Sequence, residues 1–330
     1  MKRRVRRALL GLGLLTVVLA VAGAAYESVA RHRAARGHPA PGKLVDVGGR
    51  RIQIDCRGAG SPTVVLIAGL DHFGSLSWAP IHDSIAQTTR VCAYSRAGIM
   101  WSDAARGAFD SGRMADDLHA ALAAAGERPP WVMVGHSMGG PYALAFTGRY
   151  GAEVAGLVFV DASHPDQRFP VGASAPLRRR VRDAGVNAAG PALLRMGAAR
   201  LVPVNNRPPS ASTDMIAAHR AHFPTSVAAL LKENQAIAAT LRDAGRHRDL
   251  GSRPLVVLTG ARGVSPTSRW MQFHQDQATW STHARHERVD DASHYIHADR
   301  PDVVIRAVRD VVGAVRASTA PANPGNAASP

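Results

Sequence analysis

Gly135-His136-Ser137-Met138-Gly139 places a serine two positions from a glycine on either side. WVMV before it reads as a strand and MGGPYALAFTGRY after it as a helix, with no room between them for a loop. A strand that turns directly into a helix around a serine lifts the hydroxyl clear of the backbone. It also points the helix N-terminus at any oxyanion formed there. A serine hydroxyl is a poor nucleophile at neutral pH and needs a base. His294, in DDASHYIHADRP, ends the last strand-like segment and precedes a helix with Pro301 near its first turn, where a base would stand. His297 lies three residues deeper in the same loop.

The chemistry this implies is acyl transfer, and a developing oxyanion needs two backbone N–H donors. One belongs to the residue after the nucleophile, Met138. The other belongs to the loop after the third strand, LIAGLDHFG, at Leu70, where Gly69 allows close backbone approach. Asp71 and His72, next in that loop, read as solvent-facing loop residues, with contact to substrate as the alternative. His283-x-x-His286 and His294-x-x-His297 have metal-like spacing but no supporting carboxylate or thiol pattern. They read as surface histidines, and no metal or cofactor is expected.

These groups must be positioned by elements the pattern makes visible. KLVDVGG and RRIQIDCRG alternate with period two around a Gly-Gly turn, which predicts a hairpin. TVVLIAGL, RVCAYSRAG, WVMVGHS, VAGLVFVDAS and PLVVLTG are apolar runs suited to strands buried on both faces. Helical segments alternate with them, including MADDLHAALAAAG, which stops at Gly126, and PDVVIRAVRDVVGAVRAS. Repeated strand–helix units mean a mostly parallel sheet covered on both sides. The alternation lapses over residues 165–250, where helical fragments broken by Pro and Gly predict a cap above the sheet's C-terminal edge.

At 330 residues, 46% hydrophobic and 20% charged, the chain has ample apolar sequence for one large domain. The formal charge is +15, yet only Lys2, Lys43 and Lys232 of the 40 cationic residues are lysines. That bias, with charges scattered and no aromatic interleaving, argues against a nucleic-acid partner. The N-terminus is more telling. MKRRVRR is followed by an uncharged stretch from Ala8 to Ala25, a signal peptide or a membrane anchor. Ala22-Gly23-Ala24 offers a cleavage site, and Arg31, Arg33 and Arg36 suit an uncleaved anchor. Either reading puts the body outside the cytoplasm. In such a compartment Cys56 and Cys92 are a candidate disulfide or two buried free thiols.

In segment order the chain resembles the α/β-hydrolase fold family from about Lys43 to Ala317. The resemblance is carried by the hairpin, the AGL loop, the YSRAG turn, the GHSMGG elbow, VDASHPD and SHYIHADRP. It implies a doubly wound, mostly parallel eight-stranded sheet with a helical cap insertion. Two departures stand out: Ala68-Gly69 where His-Gly is frequent, and Ser95 where the turn often has Asp. The family's second and fourth strands are neighbours, which implies a Cys56–Cys92 disulfide. Its catalytic acid usually follows the seventh strand, but PLVVLTGARG carries no carboxylate before Asp276. A minority arrangement, as in haloalkane dehalogenases and pancreatic lipases, places the acid after the sixth strand. Here that is Asp161, and Ser137, Asp161, His294 keeps the nucleophile–acid–base order. Asp276, Asp290 and Asp166 are the alternatives.

The expected organisation is a signal peptide or anchor over 1–25, a linker over 26–42, a hydrolase domain over 43–317 with its cap at about 165–250, and a disordered tail over 318–330. The expected activity is that of an α/β-fold serine hydrolase acting on a small acyl substrate, a carboxylic ester by default. Amide, lactone and peroxyacid chemistry would use the same machinery. Its rivals are a non-catalytic ligand-binding protein on the same fold and a membrane-surface protein using Arg178, Arg179, Arg180 and Arg182.

Overall fold

The structure, a computed structural model, describes residues 2–168, 185, 189–190, 192–201 and 211–319. Its centre is an eight-stranded sheet in the order β1-β2-β4-β3-β5-β6-β7-β8. The hairpin is β1 (Lys43–Asp46) and β2 (Arg51–Arg57), closed where Asp46 Oδ1 accepts the Gly48 and Gly49 N–H groups. Then follow β3 (Thr63–Ile67), β4 (Val91–Ser95), β5 (Trp131–His136), β6 (Val154–Val160), β7 (Leu255–Gly260) and β8 (Ala284–Val289). β2 runs antiparallel to β1 and β4, and the other pairings are parallel. Every residue of β3, β4, β5 and β7 is buried, which is why these segments read as unbroken apolar runs.

Successive side chains of a strand point to opposite faces, and the core divides accordingly. Val65, Ile67 and Met133 pack with Met114, Leu118, Tyr142 and Phe146 of α3 (Ser111–Ala125) and α4 (Gly139–Tyr150). Their neighbours Val64, Leu66, Val132 and Val134 face the other way. They meet Ile85 of α2 (His82–Ala86) and Val304, Val308 and Val311 near the C-terminus. Asp110 caps α3 by accepting the Arg113 N–H, and Gly126 ends it in the left-handed region. Cys56 and Cys92 are direct partners across β2 and β4 and form a disulfide.

The insertion between β6 and β7 is described in part. Its largest element is α5 (Thr213–Ala244), capped by the Ser212 side chain and packed on α4. The cluster Arg178, Arg179, Arg180 and Arg182 lies outside the described residues. Past β7 come α6 (Arg269–Gln277), the short α7 (Ile296–Asp299) and α8 (Pro301–Thr319). The first residues of the expected tail, Ser318 and Thr319, thus belong to α8, and 320–330 lie outside the described residues.

The N-terminal stretch departs from expectation. α1 spans Lys2–Gly37, so most of the segment expected to be a linker over 26–42 is helical. YESVARHRAARG has no proline and is rich in Ala and Arg, both strong helix formers. Tertiary contacts do the rest. Glu27 is buried between Arg31 (2.8 Å) and Arg200 (2.6 Å), and α1 packs against α5. Earlier in α1 the apolar residues from Leu9 to Val21 are largely exposed. By length and composition this helix can cross a membrane.

Candidate active site

Ser137 follows β5 directly and holds a backbone φ of 52°, a left-handed conformation disfavoured for any residue with a Cβ. Such strain costs about 1 kcal/mol or more and persists only where the surroundings over-determine it. Here they do. The Ser137 N–H donates to the Val160 carbonyl, and its own carbonyl accepts N–H bonds from Gly140 and Ser163 at 3.1 and 2.9 Å. The flanking glycines are a steric necessity. A Cβ at Gly139 would sit 2.1 Å from the Ile67 carbonyl oxygen, and one at Gly135 would sit 2.5 Å from the Gly139 carbonyl.

Asp161 follows β6 in the same way, with φ 45° and 2% exposure. Its N–H donates to Leu258 of β7, which fixes the turn. Its Oδ2 lies 2.6 Å from His294 Nδ1. Its Oδ1 accepts the Gly260 N–H at 2.8 Å and the Trp270 Nε1–H at 3.0 Å. A carboxylate can only accept, so Nδ1 carries the shared proton and Nε2 is left with its lone pair. Nε2 has no hydrogen-bond partner among the described residues, and the His294 side chain is 41% exposed.

Two contacts seat the histidine. His136, the residue before Ser137, donates through Nε2 to the His294 carbonyl at 2.9 Å, its ring 4.7 Å from the His294 ring. Ser293 packs on the end of β7 so closely that a Cβ at Gly260 would lie 2.1 Å from its carbonyl oxygen. The strand that lacks a carboxylate thus supplies Asp161 with an N–H donor and the histidine loop with its seat.

Leu70 and Met138 flank the serine. A Cβ at Gly69 would approach Ser137 Cβ to 2.9 Å, so the Leu70 peptide passes directly beside Ser137. Met138 precedes the first residue of α4 with helical φ and ψ. Neither backbone N–H has an acceptor among the described residues.

Asp71 and His72, expected to face solvent, do not. Asp71 is buried, where Oδ1 accepts the Phe73 and Gly74 N–H groups and Oδ2 accepts the Ser77 hydroxyl. His72 is covered by α5, its Nδ1 2.7 Å from His219 Nε2. Burial pushes these two rings down to about 4 and about 3, so they share one hydrogen bond as neutral imidazoles. Loop composition alone could not reveal a roof contributed by a distant helix.

The alternative acids are engaged elsewhere. Asp276 bonds His164 Nε2 at 2.9 Å and Trp280 Nε1 at 3.0 Å, Asp290 pairs with Arg288, and Asp166 pairs with Arg248. Of the spaced histidines, His283 Nδ1 bonds the Ser252 carbonyl and His286 Nε2 bonds Thr259 Oγ1. His297 is fully buried rather than superficial. It lies 4.9 Å from Trp78 and 4.6 Å from His136, and desolvation lowers its pKa to about 3. Trp270 carries no motif, and its bond to Asp161 spans 109 positions, so no sequence pattern announces it.

Comparison with known proteins agrees with this fold. A sequence model of the alpha/beta hydrolase fold matches residues 62–301. An uncharacterized protein of Schizosaccharomyces pombe is 42% identical over 78 residues, 24% of this chain. The chain spans 15% of that relative's length. A thermophilic esterase from Thermogutta terrifontis superposes with a TM-score of 0.57 at 24% identity, covering 82% of this chain and 97% of the esterase. An enzyme that degrades N-acyl homoserine lactones gives 0.55 at 20%, covering 81% and 99%. With the match extending from the start of β3 to the start of α8, the chain belongs to the alpha/beta hydrolase fold family.

Proposed function

We propose that the protein is a serine hydrolase that cleaves a small carboxylic ester through an acyl-enzyme. Ser137 Oγ attacks the carbonyl carbon while His294 Nε2 takes its proton. The Leu70 and Met138 N–H groups receive the oxyanion, and Asp161 holds the imidazole tautomer and stabilises the imidazolium. Collapse expels the alcohol with the proton from His294. A water molecule, deprotonated by the same nitrogen, then releases the acid and restores Ser137. No cofactor takes part in these steps.

The observation that carries this reading is the strained Ser137 turn, whose preceding residue His136 binds the His294 carbonyl, with Asp161 2.6 Å from His294 Nδ1 and His294 Nε2 unengaged among the described residues. A serine at the elbow also disfavours dehalogenase or epoxide-hydrolase chemistry by the usual route, which uses an aspartate there. We read the protein as extracytoplasmic, with α1 as its membrane segment if retained. The exposed apolar helix and the Cys56–Cys92 disulfide support this.

The test is labelling by a fluorophosphonate probe together with hydrolysis of p-nitrophenyl esters of graded acyl length. Wild type is expected to label and turn over. Ser137→Ala is expected to do neither, with kcat down by about 10³-fold or more. A folded wild type that stays unlabelled, or a Ser137→Ala variant with full activity, overturns the reading.

A further inference from the structure

Arg96, in the YSRAG turn after β4, is 3% exposed, and two of its guanidinium bonds go to the oxyanion loop. Its Nη1 donates to the Ala68 carbonyl and its Nη2 to the Gly69 carbonyl, each at 2.7 Å. In a trans peptide the carbonyl and the following N–H share a plane and point in opposite directions. Fixing the Gly69 carbonyl therefore fixes the direction of the Leu70 N–H. The loop cannot drift toward the serine either, because Gly69 already lies against Ser137 Cβ.

The guanidinium reaches this position in company. Glu233 of α5, 2% exposed, meets it side-on, Nε to Oε1 and Nη2 to Oε2, both at 2.9 Å. Tyr142 of α4 donates its hydroxyl to Glu233 Oε2 at 3.2 Å and lays its ring 4.8 Å from the guanidinium carbon. One buried node thus joins the oxyanion loop, the helix that begins after the nucleophile and the long helix of the cap. Stability is a weak explanation for such a node, since a packed apolar group of similar volume often does as well as a buried ion pair. What an apolar group cannot do is orient two carbonyl groups.

Resting on the serine-hydrolase reading, we propose that Arg96 is a positioning residue that aims the Leu70 N–H at the oxyanion, held in register by Glu233 of the cap. Cap placement then governs transition-state stabilisation as well as substrate shape. The planar fork is essential, because lysine offers a compact point charge that does not span two carbonyls and a carboxylate.

The experiment uses the full chain with Arg96→Lys, Arg96→Met and Glu233→Gln, each checked for folding by circular dichroism and thermal melting. Each is assayed for kcat and KM on a p-nitrophenyl ester. Each is also assayed for inhibition by a trifluoromethyl ketone, which forms an oxyanion on Ser137, and by the matching methyl ketone, which binds without forming a stable one. Arg96→Lys and Arg96→Met are expected to lose about 10²-fold in kcat, the scale of one oxyanion donor, with KM changed less than about threefold. Trifluoromethyl ketone affinity should fall with kcat while methyl ketone affinity holds, and Glu233→Gln should lie between these variants and wild type. Should Arg96→Met fail to fold, the milder Arg96→Lys and Glu233→Gln decide.

Folded variants that keep full kcat and full trifluoromethyl ketone affinity overturn the proposal. So do variants that lose affinity for both ketones equally, which marks a general loss of packing. Failure of the underlying reading has a separate signature, namely a wild type insensitive to the trifluoromethyl ketone and a Ser137→Ala that still turns over, and it would remove this proposal too.

Discussion

Among the described residues, two aspartate–histidine pairs joined by side-chain hydrogen bonds stand near the same sheet edge, and they are built in opposite senses. In Asp161–His294 the carboxylate is buried and the ring is open to solvent, with Nε2 unengaged among the described residues. In Asp276–His164 the ring is buried, its side chain 2% exposed, and the carboxylate is 49% exposed. His164 also spends its second nitrogen, because Nδ1 accepts the Asp166 N–H at 3.0 Å. A histidine with both nitrogens engaged is a clamp, and one with a nitrogen to spare is free to take a proton, the role proposed for His294. Distance alone, 2.6 Å against 2.9 Å, would not separate the two.

The sharpest way to break this comparison is to exchange the acids. Asp161→Asn should preserve the fold and cut kcat by about 10²- to 10⁴-fold, because the amide no longer fixes the productive tautomer. Steady-state ester hydrolysis measures it. Full activity in Asp161→Asn with loss in Asp276→Asn would reverse the assignment. Next comes the support of the acid. Trp270→Phe removes one donor from Asp161 Oδ1 and leaves the Gly260 N–H, with an expected loss of about tenfold in kcat/KM, the scale of one hydrogen bond to a charged group. An unchanged value would make that bond incidental.

Asp276→Asn is expected to leave ester hydrolysis within about twofold of wild type. It should lower unfolding stability by about 1 kcal/mol through the bonds to His164 and Trp280, as read by urea titration. The last effect concerns pH. Burial lowers the pKa of His164, and of His297 to about 3 and His274 to about 4. The unfolded chain, with ordinary histidines near 6.5, therefore binds more protons than the fold at mildly acidic pH. Their contribution is fully present above about pH 6.5 and is lost as pH falls from there toward 3. Urea midpoints measured between pH 7.5 and 5 should fall, and fall less steeply in His297→Phe. A variant slope equal to wild type would remove His297 from the account.

How much of this was legible in the sequence depends on how local each cause is. The elbow is steric, so its glycine spacing is written around Ser137. The sheet was legible because strands buried on both faces must be apolar throughout. Asp161 was reachable as a candidate only through the family resemblance, which allows an acid after the sixth strand when the seventh carries none. Its supports were not, since Gly260 and Trp270 lie about a hundred positions from Asp161 and carry no pattern. Arg96 stood in plain view in YSRAG without a role, because its partners Ala68, Gly69 and Glu233 come together only in three dimensions. The segment after Ala25 misled for the same reason, its polarity suggesting a linker where a buried Glu27 makes it a docked helix.

β6 and β7 are hydrogen-bonded neighbours, with Val160 opposite Leu258, and a backbone group at the end of β7 already touches the carboxylate at the end of β6. A carboxylate placed after either strand therefore addresses the same imidazole from adjoining sites. Seen as ancestry, the acid can move between strands without stranding any intermediate. A chain that gains the second aspartate before losing the first keeps a working base at every step, and nothing else need shift. The bare strand PLVVLTG is compatible with one end of such a path, since its last residue, Gly260, already donates its N–H to the carboxylate that stands next door.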